Sequence, residues 1–289
     1  MILSMNLFAH RKNKPNIADF EAVKAAGFTD VTLEFTNEEF LLSDDFEKEI
    51  KNLKDAVNSI GLTISQTHLE GYSLTLGSSV TIPRTDKLIE RSIIATALLG
   101  APWGVLHPRT RFYAINDRKL NLEENIKFVT PLLKTAEKYG CGIAVENIPT
   151  WKDAEKNKFF SAHHTELIDL IDYFNSPNLG ICWDTGHANL NKHCDDQYQA
   201  IREIGHRLKA THIASNDGRY DDHLMPPAFG TVDCEKLASV LKEINYDGAI
   251  CCELHSSDIP ETRDTYNKLN YACGKYLMDL LKKQKEKNT

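Results

Sequence analysis

Carboxylate and imidazole side chains recur at one kind of position in this sequence, directly after short apolar runs of β-favouring residues. Such a run precedes each of Glu34, His68, His107, Glu146, Asp184, His212 and Glu253, and His187 follows Asp184 by three residues. Acidic and imidazole groups are the usual general acids, general bases and metal ligands of proteins. If the runs are parallel strands of one barrel, these side chains lie at its carboxyl-terminal mouth, where such barrels place their active sites.

Three of these carboxylates favour a bound cation. Glu146, Asp184 and Glu253 held close together would concentrate negative charge in a partly desolvated cleft, which is costly unless it is compensated. A divalent cation supplies that compensation, and His212 completes a set of one imidazole and three carboxylates. This mostly hard set suits Mn2+, Mg2+ or Co2+, and Zn2+ is a further option. The sequence therefore predicts a divalent metal cofactor.

The runs that carry these residues alternate with amphipathic helical patterns along the whole chain. Eight strands are predicted, at 2–6, 30–35, 62–68, 103–107, 142–146, 179–184, 209–212 and 249–253. Eight helices are predicted, at 17–26, 45–60, 86–99, 122–139, 165–174, 197–204, 233–244 and 263–282. Glycine follows several helical patterns, as at Gly27, Gly61, Gly100 and Gly140, and can take the left-handed C-cap conformation there. The pattern indicates repeated β-α units with short connections.

This alternation predicts an α/β protein, and its eight units favour a closed (β/α)8 TIM barrel. A doubly wound open sheet is the alternative, but no GxGxxG sequence follows the first run, as its dinucleotide-binding form requires. No low-complexity linker and no shift in composition divides the chain. We therefore expect one domain over residues 1–289, with the lysine-rich residues 283–289 as a disordered tail.

The composition of the 289 residues favours a small-molecule partner. With 34 basic and 41 acidic side chains the formal net charge is -7, and basic residues cluster mainly near the termini, which argues against nucleic-acid binding. No apolar run approaches the roughly 20 residues of a membrane span. The seven cysteines form no CxxC motif, so a reducing, cytoplasmic location is expected. A signal peptide cleaved before this sequence begins would leave no trace in it.

The motifs of the second half resemble those of a known family. Val-Glu-Asn ends the fifth run, Trp-Asp-Thr-Gly-His ends the sixth, Thr-His-Ile and then Asn-Asp-Gly end the seventh, and Glu-Leu-His ends the eighth. Together with the segment 221–233, these motifs are similar to those of the xylose isomerase-like TIM barrel superfamily, specifically the sugar phosphate isomerase/epimerase group. The resemblance covers nearly the whole chain and is specific in its second half.

The resemblance implies which residues act. Glu146, Asp184, His212 and Glu253 would be the four metal ligands, and His187 would contact the substrate. Glu146 and Glu253 would also be the catalytic groups, transferring a proton on opposite faces of a sugar, sugar phosphate or keto-sugar while the metal stabilises an enediolate. Proton return to the same carbon gives epimerisation, and return to the neighbouring carbon gives isomerisation. Relatives often form dimers or tetramers, so a homo-oligomer is one expectation.

Other functions are weighed against this one. The same superfamily contains the endonuclease IV type of abasic-site nuclease, a three-zinc enzyme whose nine ligand positions have counterparts here. These counterparts are His68, His107, Glu146, Asp184, His187, His212, Asp221, His223 and Glu253. The short spacing from His212 to Asp221 and the lack of a basic stripe for DNA favour the isomerase or epimerase. A related metal-dependent lyase or dehydratase and a non-catalytic sugar binder are further alternatives.

Further polar residues near the strand ends complete the predicted site. His68 and His107 could bind substrate oxygens or a second metal. Asp221 and His223 are candidates for that second metal site. Glu34 is expected either to contact substrate or to make a structural hydrogen bond.

Three residues near the strands are assigned by their position alone. Arg109, just past the fourth run, could hold a substrate phosphate or carboxylate through its planar guanidinium. Trp183 is expected to pack against helices, because neighbouring residues of a strand point to opposite faces. Lys209 begins its run and so lies at the opposite end of the barrel, which argues against a Schiff-base aldolase.

Overall fold

Eight parallel strands close into a barrel in which each strand pairs with its neighbours in sequence and the last pairs with the first. The strands are β1 (Ile2–Leu7), β2 (Asp30–Glu34), β3 (Thr63–His68), β4 (Trp103–Leu106), β5 (Gly142–Glu146), β6 (Leu179–Asp184), β7 (Leu208–Ile213) and β8 (Ala249–Cys252). This computed structural model describes residues 1–7, 17–35, 38–69, 82–110, 117–149, 159–192, 195–254 and 260–283. The predicted (β/α)8 barrel, a single TIM barrel domain, is confirmed.

Ten α-helices lie between and after the strands in the described residues. They are α1 (Ile17–Ala26), α2 (Glu38–Leu42), α3 (Phe46–Ser59), α4 (Ile82–Leu99), α5 (Arg118–Tyr139), α6 (His164–Phe174), α7 (Thr185–Leu190), α8 (Gln197–Ile204), α9 (Cys234–Glu243) and α10 (Pro260–Lys283). Eight of them match the predicted helices to within about four residues at each end. The sequence does not predict α2 and α7, because five or six residues are too few to show a helical period.

Alternate residues of the strands fill the interior of the barrel. Val105, Ala144, Cys182 and Ala210 meet there, one from each of β4 to β7. Trp183 points the other way and packs with helical residues in the outer layer, as predicted. The next inward positions toward the carboxyl ends of β6 and β7 are Asp184 and His212, which are partners in the pairing of these strands. The interior layer of small side chains therefore lies directly below the predicted metal ligands.

Other expectations from the sequence concern the C-terminal tail, the cysteines and membrane-spanning helices. Lys283 is the last residue of α10, whose final turn is anchored by the buried Leu281, so the expected tail does not begin there. Residues 284–289 lie outside the described residues. The cysteines that the structure describes are free thiols, and Cys194 lies outside the described part of the chain. Among the described helices, none combines the length and the apolar character needed to cross a bilayer.

Candidate functional site

The four predicted metal ligands converge at the carboxyl-terminal end of the barrel. One ligand atom from each of Glu146, Asp184, His212 and Glu253 lies within 4.8 Å of the other three, and all four residues are buried. Nδ1 of His212 is 2.7 Å from Oε1 of Glu146 and 2.9 Å from Oε2 of Glu253. Each of the four ends a strand or lies within one residue of a strand end. The closure of the barrel itself therefore assembles the predicted ligand set.

Charge is unevenly distributed among these ligands. Burial disfavours ionisation of Glu146 and Glu253, but the charge and the hydrogen bond of His212 outweigh it and hold the pKa of both carboxyls well below the usual value. For Asp184, burial dominates, and the repulsion from Glu253 and Glu146 adds to it against the attraction of His187, so its pKa is raised to about 7. A proton on Asp184 thus relieves the same excess of negative charge that a cation would relieve.

The two carboxylate oxygens of Asp184 have different surroundings. Oδ1 of Asp184 accepts a hydrogen bond from the backbone N–H of His187 at 2.5 Å and so caps the first turn of α7. Oδ2 of Asp184 is buried and hydrogen-bonds to no atom of the described residues. A buried carboxylate oxygen is unfavourable without a donor or a positive charge beside it. The residues present therefore fit a divalent cation.

A second group of candidate ligands shares Glu146. Nε2 of His107 is 2.9 Å and Nε2 of His68 is 3.5 Å from Oε2 of Glu146, and these two nitrogens are 3.1 Å apart. Burial lowers the pKa of His107. Burial also acts on His68, but its hydrogen bond to Glu146 and the charge of Glu34 outweigh it and raise the pKa of His68 to about 9. His68 and His107, predicted as substrate contacts, thus lie against a predicted metal ligand and could hold a second ion with it.

A third group links the loop after β7 to the barrel. Oδ2 of Asp221 lies 3.2 Å from Nε2 of His187 and 3.3 Å from Nε2 of His223. A ring nitrogen of His223 is 3.1 Å from the backbone oxygen of Glu253. His223 also adopts the left-handed backbone conformation, with φ of 42°, which costs energy for a residue with a Cβ and is held here by these contacts. The predicted second metal residues, Asp221 and His223, therefore lie beside His187, the predicted substrate contact.

Asn147 belongs to the site although the sequence analysis gives it no role. Its Oδ1 accepts from the backbone N–H of Asp184 at 2.6 Å, and its Nδ2 donates to the backbone oxygen of Asp184 at 2.9 Å. Its backbone oxygen lies 2.8 Å from Nδ1 of His187. Asn147 thus fixes both Asp184 and the ring of His187. The signal in the sequence is its place directly after Glu146, where an amide can continue the strand pairing with both a donor and an acceptor.

Two residues of the first strands border the cluster. Nδ2 of Asn6, in β1, donates to Oε1 of Glu253 at 3.3 Å, a contact that the sequence analysis does not anticipate. Glu34 is buried at the end of β2 and is the pairing partner of His68 in β3. A contact between Glu34 and substrate stays a prediction.

Arg109 is placed differently from the prediction that it binds substrate. Its guanidinium forms an ion pair with Asp86 of α4 and lies over the ring of Phe128 in α5, 3.6 Å from the ring centroid. Its backbone N–H and oxygen are both bonded to the buried side chain of Asn125. These contacts draw the charged end of Arg109 between two helices, and they favour a structural role in place of a phosphate or carboxylate contact.

Comparison with known proteins identifies the family. The chain belongs to the xylose isomerase-like TIM barrel family, whose model matches residues 20–271. It is 24% identical over 225 residues to a ketose 3-epimerase of Arthrobacter globiformis, which covers 76% of this chain and 73% of that protein. An uncharacterized protein of Methanocaldococcus jannaschii is 30% identical over 132 residues, 46% of this chain and 43% of its own length. The solved structure of a D-tagatose 3-epimerase-like protein shares the fold, with a TM-score of 0.76 over 98% of this chain and 99% of that one at 20% identity.

Proposed function

We propose that this protein is a divalent-metal-dependent isomerase or epimerase that acts on a sugar, a sugar phosphate or a keto-sugar. The observation that carries the proposal is the meeting of Glu146 and Glu253 at Nδ1 of His212, beside Asp184. Two buried carboxylates, from strands separated by two others, thereby surround one point at the barrel mouth. The similarity to a ketose 3-epimerase supports the same class of reaction.

The residues of the cluster can hold the metal ion, accept a proton from the substrate and return a proton to it. A divalent cation held by Glu146, Asp184, His212 and Glu253 would polarise a substrate carbonyl and make the carbon next to it more acidic. The carboxyls of Glu146 and Glu253 lie on two sides of His212, so either is placed to accept the proton from that carbon. The other carboxyl then delivers a proton drawn from solvent. Because Nδ1 of His187 is held at the backbone oxygen of Asn147, Nε2, which faces Asp221, is the ring atom left to contact a substrate oxygen.

Solvent-deuterium incorporation tests this proposal. Ketoses, keto-sugars and their phosphates are incubated with the protein and Mn2+ in deuterated water, and the labelled carbon is located by NMR. Wild-type protein is expected to label at least one of them next to its carbonyl, and the position of the label separates epimerisation from isomerisation. Glu146→Gln and Glu253→Gln should each slow exchange by about 100-fold or more.

A control and two contrary outcomes complete the experiment. Glu243→Gln changes a surface carboxylate that pairs with Arg202, and it should leave exchange unchanged. Normal exchange in both Glu146→Gln and Glu253→Gln would discard the two-carboxylate mechanism. A sugar that raises the melting temperature but never exchanges would indicate a non-catalytic sugar binder, and loss of water from the sugar would indicate a lyase or dehydratase.

Phosphodiester hydrolysis by several zinc ions is a second candidate function, favoured by the two additional ligand groups. One comprises His68, His107 and Glu146, and the other comprises His187, Asp221 and His223. Elemental analysis separates the candidates. The isomerase or epimerase is expected to hold about one divalent ion per chain at its proton-transfer site, whereas three tightly held zinc ions together with cleavage of abasic-site DNA would establish the hydrolase.

The proposals about partners and location follow from the same reasoning. We propose a small-molecule sugar as the partner, without nucleic acid or a membrane, which the net charge of -7 supports. A homo-oligomer and a cytoplasmic location stay predictions. Sedimentation of the purified protein tests the first, and fractionation of the cells that produce it tests the second.

A further inference from the structure

The imidazole of His212 is bonded on only one side by oxygen atoms. Nδ1 faces the carboxylates of Glu146 and Glu253, at 2.7 and 2.9 Å. Nε2 is buried and has no hydrogen-bond partner among the described residues. A neutral imidazole that uses Nδ1 as a metal ligand carries its hydrogen on Nε2, and that hydrogen needs an acceptor. In metal sites the acceptor is usually a carboxylate, a backbone carbonyl or water.

The thiol of Cys182 is placed to be that acceptor. Cys182 is fully buried in the barrel interior, and it pairs with Ala210 across β6 and β7, one inward layer below the pair of Asp184 and His212. Its sulfur and one ligand atom each of His212 and Glu146 lie within 4.8 Å of one another.

We propose that Cys182 is a positioning residue for the metal ligand His212: when Nδ1 holds a metal ion, the sulfur of Cys182 accepts the Nε2 hydrogen of the imidazole and so keeps Nδ1 turned toward Glu146 and Glu253. The proposal rests on the proposed metal-dependent function. A thiol suits this place because it accepts a hydrogen bond without adding charge below three carboxylates.

Metal affinity measured without substrate tests the proposal. Co2+ is titrated into each variant in competition with a chelator, and its visible spectrum reports the ligand geometry. Cys182→Ala and Cys182→Val remove the acceptor, the first leaving space and the second filling it. Each is expected to weaken Co2+ binding by roughly 10- to 100-fold and to change the spectrum, which is the usual effect of removing a group that supports a metal ligand. Cys182→Ser keeps an acceptor and should bind Co2+ within about threefold of wild type.

Cys251 provides the matched control. It is another fully buried cysteine, and it pairs with His212 across β7 and β8. Among the described residues, however, its sulfur belongs to no group of closely placed ligand atoms, whereas that of Cys182 does. Cys251→Ala should leave Co2+ affinity unchanged. Wild-type affinity and spectrum in both Cys182→Ala and Cys182→Val would overturn the positioning role. Losses in Cys182→Ser and Cys251→Ala as large as the loss in Cys182→Ala would overturn it as well. Failure of the wild-type protein to bind Co2+ would overturn the metal-dependent function as well.

Discussion

Asn147 and Asn178 close the two ends of the strand pair formed by β5 and β6. Near the start of the pair, Nδ2 of Asn178 donates to the backbone oxygen of Cys141 at 2.7 Å. Beyond its other end, the side chain of Asn147 is bonded to both the N–H and the oxygen of Asp184. The two amides thus make contacts of the same kind, but only Asn147 lies at the ligand cluster.

Alanine at these two positions should separate stability from metal binding. Asn147→Ala removes two hydrogen bonds and leaves the buried backbone N–H of Asp184 without its side-chain partner. It is expected to lower the free energy of unfolding by about 2–3 kcal/mol, against about 1 kcal/mol for Asn178→Ala. Asn147→Ala should also weaken metal binding at least tenfold, because the backbone of Asp184 loses its support. Urea unfolding and chelator competition measure both quantities. Equal metal affinity in the two variants would contradict the role given to Asn147.

Variants of Asp184 should separate its role in metal binding from its role as the cap of α7, because the two roles use different oxygens. Asp184→Asn keeps an oxygen that can cap the N–H of His187 but loses the charge, whereas Asp184→Ala loses both. Metal affinity is expected to fall at least 100-fold in both variants, more than for a supporting residue. In the presence of a chelator, Asp184→Ala should be less stable than Asp184→Asn by about 1 kcal/mol, the usual value of a helix cap. Equal stability of the two variants in urea would refute the cap.

Arg109 should affect stability and not catalysis. Arg109→Met removes the ion pair with Asp86 and the stacking on Phe128, and is expected to lower the free energy of unfolding by about 1–3 kcal/mol, because the guanidinium is buried and Asn125 still holds the local backbone. KM values for phosphorylated and unphosphorylated sugars should stay at wild-type levels. A rise in KM confined to phosphorylated sugars would restore the predicted phosphate contact.

His164 should give the protein a pH-dependent stability that is separate from the metal cluster. Nδ1 of His164 lies 2.9 Å from Asp195, and Nε2 lies 2.7 Å from Glu203. The hydrogen bond to Asp195 is the largest cause of the raised pKa of His164. Burial opposes ionisation of Asp195, but its hydrogen bonds with His164 outweigh burial and lower its pKa to about 2.

The pH range of this contribution follows from the two shifts. A raised pKa means that the contribution of His164 is complete below its ordinary value of 6.5 and is lost as the pH rises through the folded value. The contribution of Asp195 is complete above 3.8 and is lost as the pH falls toward 2. His164→Gln is therefore expected to lower the free energy of unfolding by about 1–2 kcal/mol at pH 6 and by less at pH 9. The same difference at both pH values would contradict it.

The positions of the strands and the longer helices could be predicted because they depend on residues close together in the chain. The strands are short runs rich in β-favouring residues, most of the long helices space their apolar residues at a helical period, and glycine marks several helix ends. The helix α7 escapes that reasoning, because its six residues include a glycine and show no apolar period. It begins where the side chain of Asp184 caps the backbone of His187, which is a contact and not a pattern.

The four clustered ligands could be predicted for a different reason, since a closed barrel brings the ends of its strands to one mouth. The partners of Arg109 could not, because Asp86 and Phe128 come from two helices that no spacing in the sequence connects to it. The role proposed for Cys182 could not be predicted either, because a cysteine in an apolar strand indicates only that its thiol is buried. Its relation to His212 depends on the register of β6 and β7.

The tethering of the carboxylates has a consequence for ion size. One oxygen of Asp184 accepts a hydrogen bond from the backbone of α7, and one oxygen of Glu253 accepts a hydrogen bond from Asn6. The second oxygen of each carboxylate is therefore the one that can face a cation. Large alkaline-earth ions such as Ca2+ need six to eight oxygens and favour carboxylates that grip with both. Because Asp184 and Glu253 would each offer one oxygen, we expect the proposed site to bind small divalent ions in preference to Ca2+.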